Sequence, residues 1–114
     1  MIKILGRKGE DIAVDFLKQK GYKILRRNYM TPLGEADIVA KDNKTIVFVE
    51  VKARSSNAFC QPFEAVNHKK QEKLKKVALY YLKQHEIELP VRFDIVSIIS
   101  RDGKTEVNHI PEAF

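Results

Sequence analysis

Residues 46 to 54 read IVFVEVKAR, and no other stretch of the chain restricts the fold so tightly. From Ile46 to Val51 every residue but Glu50 is apolar, which suits a central β-strand covered on both faces. Such a strand needs a layer of structure above it and another below. A chain of 114 residues with 44% hydrophobic residues can bury one modest core, so a single domain spanning residues 1–114 is expected. Within this run Glu50 and Lys52 are out of place. Alternation along a strand points both the same way as Phe48, while Val47, Val49 and Val51 point the other way. Charge in a strand of this kind is costly to desolvate without a function or a very good partner.

The remaining elements follow from periodicity and turn residues. A first helix is expected from about Lys8 to Lys20, closed by Gly21, with Ile12, Ala13, Phe16 and Leu17 on one face and Gly9 at its middle. Three strands follow, Tyr22 to Met30, Glu35 to Lys41 and Lys44 to Ala53, separated by Thr31-Pro32-Leu33-Gly34 and Asp42-Asn43. Arg54 to Pro62 reads as a polar loop. A second helix from about Asn67 to His85 has Asn67 as its N-cap and Leu74, Val77, Ala78, Tyr81 and Leu82 on its apolar face. A buried strand, VRFDIVSIIS, begins at Val91, and a hairpin turn at Arg101 to Lys104 leads to a last strand, Thr105 to Ile110. The fold class is therefore α/β, in the order α-β-β-β-α-β-β. A strand, crossover helix and strand imply one parallel pair, so the sheet of about five strands is mixed and flanked by helices.

The turn decides what Glu50 meets. A two-residue loop at Asp42-Asn43, or a four-residue loop from Lys41 to Lys44, puts Asp37 opposite Phe48 and makes Glu50 its diagonal neighbour on the same face, roughly 7 to 8 Å away. Converging carboxylates repel each other unless a cation lies between them. A hard ion, Mg²⁺ or Mn²⁺, suits two carboxylates with waters and phosphate oxygens, and the absence of nearby Cys or His disfavours zinc. Lys52 beside such an ion would orient or deprotonate a water, or stabilise charge on phosphorus. Asp37, Glu50 and Lys52 thus read as a phosphodiester-cleaving set. The competing reading is a structural ion pair between Glu50 and Lys52, with Asp37 marking a turn.

Charge and cysteine content narrow the setting. A formal net charge of +6 favours a polyanionic partner, with solvated lysines as the alternative. One cysteine, Cys60, forms no intrachain disulfide and reads as a packed thiol; with no signal-peptide region or membrane span, a cytoplasmic location is expected.

GEADIV at 34 to 39, followed by FVEVKAR at 48 to 54, resembles the PD-(D/E)XK nuclease superfamily, whose fold is restriction-endonuclease-like. More narrowly, the chain resembles the YraN-type family of small bacterial proteins related to archaeal Holliday-junction resolvases. GRKGEDIA at 6 to 13, EAVNHKKQEKL at 64 to 74, RFDIVSI at 92 to 98 and the ending HIPEAF extend that likeness over nearly the full length. Ala36 stands where the superfamily's name has proline, and Cys60 where such sequences often have glycine. The resemblance implies a metal-dependent endonuclease acting on DNA, possibly branched or damaged.

Other residues join this expectation. Glu10 lies on the border of the first helix's apolar face, roughly 100° from its centre, where a solvated carboxylate and one facing the sheet are both open. The resemblance makes it a third acidic ligand, beside Asp37, Glu50 and the carbonyl of Val51. Lys70 and Gln71 project from the start of the second helix toward the sheet and match the family's recurring Lys-Gln, so both are expected at substrate phosphate. Arg54 continues the face of Glu50 and Lys52 and suits a phosphate at the strand end. Lys69, Lys73, Lys76 and Lys83 line the outer side of the helix, as a solvated face or a DNA track; Lys73 is included among the nucleic-acid contacts. Asp94 is expected to make a structural hydrogen bond, and no histidine is assigned as a ligand. A nuclease this small has little surface for a duplex, so a homodimer is reasonable. Two rival readings are a non-catalytic nucleic-acid-binding module of the same fold and a protein-interaction adaptor whose charged strand is structural.

Overall fold

The structure, a computed structural model, describes residues 2–55 and 67–114. The expected order is observed: α1 (Ile2–Gln19), β1 (Lys23–Thr31), β2 (Gly34–Asp42), β3 (Thr45–Ser55), α2 (His68–Gln84), β4 (Val91–Arg101) and β5 (Lys104–Ile110). α1 starts six residues before its expected beginning, because Gly6 lowers helix propensity without ending the helix. The expected loop from Arg54 to Pro62, with Cys60, falls largely outside the described residues. No helix among the described residues is long and apolar enough to cross a membrane.

The five strands lie in the order β1-β2-β3-β4-β5, parallel between β3 and β4 and antiparallel elsewhere. α2 forms the crossover between the parallel strands. Both helices end in left-handed caps. Gly21, at φ +94°, lets Tyr22 N–H reach Leu17 O at 3.0 Å and Gly21 N–H reach Lys18 O at 3.0 Å. Glu86, at φ 53°, does the same for α2, with Ile87 N–H on Leu82 O at 2.9 Å. Asn67 caps the start of α2 through its side chain, which accepts Lys70 N–H at 2.9 Å.

Each helix covers one face. Ala13, Val14 and Leu17 of α1 pack on Ile38, Ala40, Val47, Val49, Val96 and Ile98. Leu74, Val77, Ala78 and Tyr81 of α2 pack on Ala36, Val39, Ile46 and Phe48. Gly9 is required by the first of these contacts, since a Cβ there would stand 3.0 Å from the Cβ of Ala53. β3 is thus the central, doubly covered strand, with Val47, Phe48 and Val49 fully buried.

One expectation about register is corrected. Asp42 pairs with Thr45, so the β2–β3 turn consists of Asn43 and Lys44, with Asn43 at φ 55°. Phe48 therefore faces Val39, not Asp37. The shift is by two residues because Asn43, rather than Asp42, takes the left-handed position of the turn. Parity is preserved over the paired residues Ile38 to Asp42.

Candidate active site

The ladder between β2 and β3 ends at Ile38↔Val49, and its register continued by one step places Asp37 against Glu50. At that step β2 departs from regular pleating. Ala36 packs with the α2 cluster and Ile38 with the α1 cluster, although strict alternation would put both on one face. Across β1, the residue between the Arg27↔Ile38 and Tyr29↔Ala36 pairs is Asn28, at φ 50°. Asp37 thus lies at a seam where the alternation slips. Its Oδ2 accepts the N–H of Val51 at 2.8 Å, supplying β3 with an acceptor where main-chain pairing has stopped.

Glu50 and Lys52 share the α2 face of β3. Glu50 is 7% exposed, and its Oε1 lies 3.7 Å from Lys52 Nζ and 2.7 Å from Lys70 Nζ. Lys70 comes from the first turn of α2. The expected meeting of Lys70 with this region is observed, but its partner is a carboxylate of the site itself. Lys73 lines the adjoining cleft of about 430 Å³ with Glu50, Lys69, Lys70, Asn67, Gly34 and Glu35. Gln71 is partly buried, and Arg54 lines a smaller cavity with Lys8 and Gly9. Glu10 projects from α1, where Asn28, its amide nitrogen turned to the carboxylate, donates to Oε1 at 2.7 Å.

The electrostatics follow from this crowding. Burial first, and the Glu50 carboxylate second, push the Asp37 carboxyl up to about 7; Glu10 adds to the rise, while Val51 N–H and Lys70 oppose it. The Lys52 amine is pushed down by burial and then by its contact with Lys70, against the pull of Glu50 and Asp37. Burial also works against the charged form of Lys70, but Glu50, Lys52 and Asp37 outweigh it, and its ammonium is held above the ordinary lysine range. Negative charge converges from three elements, yet among the described residues no three of His, Cys, Asp or Glu group closely enough to enclose an ion by themselves.

The donor set fits a Mg²⁺-like ion in its usual manner, through one or two carboxylates with the rest of its shell from water or substrate. Ser97 is a second mark of polar room. It is registered with Lys52 on the same face, and its buried hydroxyl meets no hydrogen-bond partner among the described residues.

A second polar cluster is less visible in the sequence. Asp94, fully buried on the α1 face, accepts from Arg92 Nε at 2.9 Å, Arg92 Nη2 at 3.0 Å, His109 Nε2 at 2.7 Å and Glu112 N–H at 3.2 Å. Arg92 also meets Asp42 at 3.0 Å and the Tyr22 hydroxyl. The expected structural hydrogen bond of Asp94 is thus a network, and His109, the first residue of the closing HIPEAF stretch, is a member to which sequence reasoning gave no role. The β4–β5 turn contained the signal: counting back from Arg101↔Lys104 pairs Val96 with His109, which makes His109 a diagonal neighbour of Asp94 on one face.

These features define the protein as an α/β chain, with an acid-and-lysine site where a central strand parts from its antiparallel neighbour. The chain belongs to the family described as "Uncharacterised protein family UPF0102", whose model matches residues 9–98. It is 53% identical over 110 residues to a UPF0102 protein of Thermodesulfovibrio yellowstonii, covering 96% of this chain and 95% of that one. A UPF0102 protein of Caldicellulosiruptor bescii is 52% identical over 118 residues, covering 99% and 98%.

Proposed function

We propose that the chain is a metal-dependent nuclease of the PD-(D/E)XK type, with a restriction-endonuclease-like fold, that hydrolyses phosphodiester bonds in DNA. One observation carries the reading: Asp37, Glu50 and Lys52 come together at a strand seam, with Asp37 pushed up to about 7 by burial and its acidic neighbour. A strand that needed only a structural pair would not place a second carboxylate against the first.

In this reading Asp37 and Glu50 would hold Mg²⁺ or Mn²⁺, with Glu10 and the carbonyl of Val51 as further ligands. The ion supplies Lewis acidity and a more acidic water. Lys52, whose pKa burial and Lys70 push down, would take a proton from the attacking water or meet charge on phosphorus. The cleft beside Glu50 would receive the DNA backbone, with Lys69, Lys70 and Lys73 on its wall and Gln71 as a further phosphate contact, while Arg54 would meet phosphate from the separate cavity beside α1. Branched or damaged DNA is the preferred substrate on the resolvase likeness, and a homodimer would supply the missing contact surface.

The test uses purified protein, Mn²⁺ and a panel of linear, nicked and four-way DNA. Cleavage should fall by about 10² to 10⁴-fold in Lys52→Ala, and Asp37→Ala should abolish it. DNA binding without metal and without products would favour a non-catalytic module, for which the lysine-lined cleft is the supporting observation.

A further inference from the structure

We propose that Lys70 is the resident counter-cation of the acidic pair: its ammonium holds the seat that a divalent ion takes, and ion entry expels it toward the cleft. The inference rests on the metal-site reading above and concerns what that site does when no ion is bound.

Three observations support it. Among the described residues Lys70 Nζ is the nearest cation to Glu50, at 2.7 Å, and it comes from a different element, whereas Lys52 on the same strand stands off at 3.7 Å. The Lys70 side chain is 42% exposed, so its stem can swing into the cleft it already lines, while Lys52, at 22%, is more confined. Finally, α2 has the wrong charge at its start. Its first turn carries no acidic residue and holds Lys69 and Lys70, although the positive end of a helix favours anions. A local arrangement that works against the helix dipole is expected where those cations have anions to meet from outside the helix. Glu50 is one such anion, and a phosphate in the cleft would be another.

Space makes the two occupants exclusive. The Lys70 ammonium lies 2.7 Å from Glu50 Oε1, the seat that an ion held by that oxygen would need. Leaving the Lys70 ammonium at 2.7 Å from Glu50 would then set two cations side by side in a poorly solvated niche. Lys70 must therefore move when the ion enters, and the movement delivers an ammonium to the cleft. Metal binding and phosphate binding would be coupled through a single side chain.

Isothermal titration of metal-free protein with Mn²⁺, without DNA, tests this. Lys70→Met should bind Mn²⁺ about 10-fold or more tightly than the wild type, which corresponds to about 1.4 kcal/mol. Lys70→Arg, which keeps the competing charge, should bind no more tightly than the wild type. Lys73→Met removes a cleft lysine that is not paired with Glu50, whose ion pairs are with Lys52 and Lys70, and should change affinity less than about 3-fold. Thermal melting supplies a second readout: Lys70→Met should melt lower without metal and gain more from saturating Mn²⁺. If that variant folds only with Mn²⁺, the recovery supports the inference; failure to recover overturns it. Equal affinity in Lys70→Met and wild type would overturn the role of Lys70 and leave the metal site standing. Absence of Mn²⁺ binding in both would overturn the metal site itself.

Discussion

Asp94 on β4 and Asp37 on β2 flank the same central strand, both drawn into the interior of the sheet, and their surroundings treat them in opposite ways. Asp94 is fully buried, but two bonds from Arg92, one from His109 and one from Glu112 N–H meet its oxygens. Burial alone would raise its pKa; these donors outweigh it and hold the carboxyl below the ordinary range. Among the described residues Asp37 has one N–H donor, from Val51, and two carboxylate neighbours, and its pKa rises to about 7. The first site is closed, and nothing further is needed to stabilise its charge. The second lacks such donors and has acidic neighbours instead, which is what the proposed cation site would require.

The sharpest way to break this contrast is to neutralise each aspartate without changing its shape. Asp94→Asn replaces an acceptor with an amide whose nitrogen faces Arg92 or His109 donors, leaving buried donors unmet. Unfolding in urea should show a loss of about 3–5 kcal/mol, the usual cost of breaking a buried charged network from one side. Its pH signature is that of a depressed acid: the stabilisation is fully present above the unfolded value of 3.8 and is lost as pH falls through the lower folded value.

Asp37→Asn should move stability the other way. The folded chain keeps a proton on Asp37 that the unfolded chain releases near 3.8, so wild-type stability should decline as pH rises from there to about 7. The amide oxygen can still accept Val51 N–H, while the repulsion from Glu50 and Glu10 is gone. We expect metal-free Asp37→Asn to be more stable than wild type at pH 8 by about 1–3 kcal/mol, allowing for partial solvent access, with a flatter pH profile and no Mn²⁺ binding. A loss resembling that of Asp94→Asn would mean that both aspartates are structural and that the contrast is false.

How far these sites were legible in the sequence depends on what fixes each residue. Glu50 and Lys52 stood out because charge interrupted an apolar run, and the two-residue period of a strand placed them on one face. The partner of Asp37 was less secure, since the stretch Asp42-Asn43-Lys44 accommodates more than one two-residue turn. Either choice keeps the faces and moves the register by two. The seam at Asp37 could not be read at all, for it depends on Asn28 adopting a positive φ on the neighbouring strand. Lys70 announced its direction but not its partner, because the docking of α2 on the sheet sets that distance. Its one local hint was a basic first turn on a helix whose dipole favours acids.

The smallest expected effect sharpens the comparison from its closed side. Lys20 Nζ lies 3.0 Å from His109 Nδ1, at the solvent end of the chain of contacts that leads through His109 to Asp94. With Lys20 donating to Nδ1, the imidazole presents Nε2–H to Asp94, the tautomer its short contact requires. The Lys20 side chain is exposed, however, and water can replace it at Nδ1 with the same polarity. Lys20→Met should therefore cost less than about 0.5 kcal/mol in urea unfolding, far below Asp94→Asn. A larger loss would show that closure at Asp94 depends on this outer cation, and the two aspartates would then differ in how many cations they hold rather than in whether water can reach them.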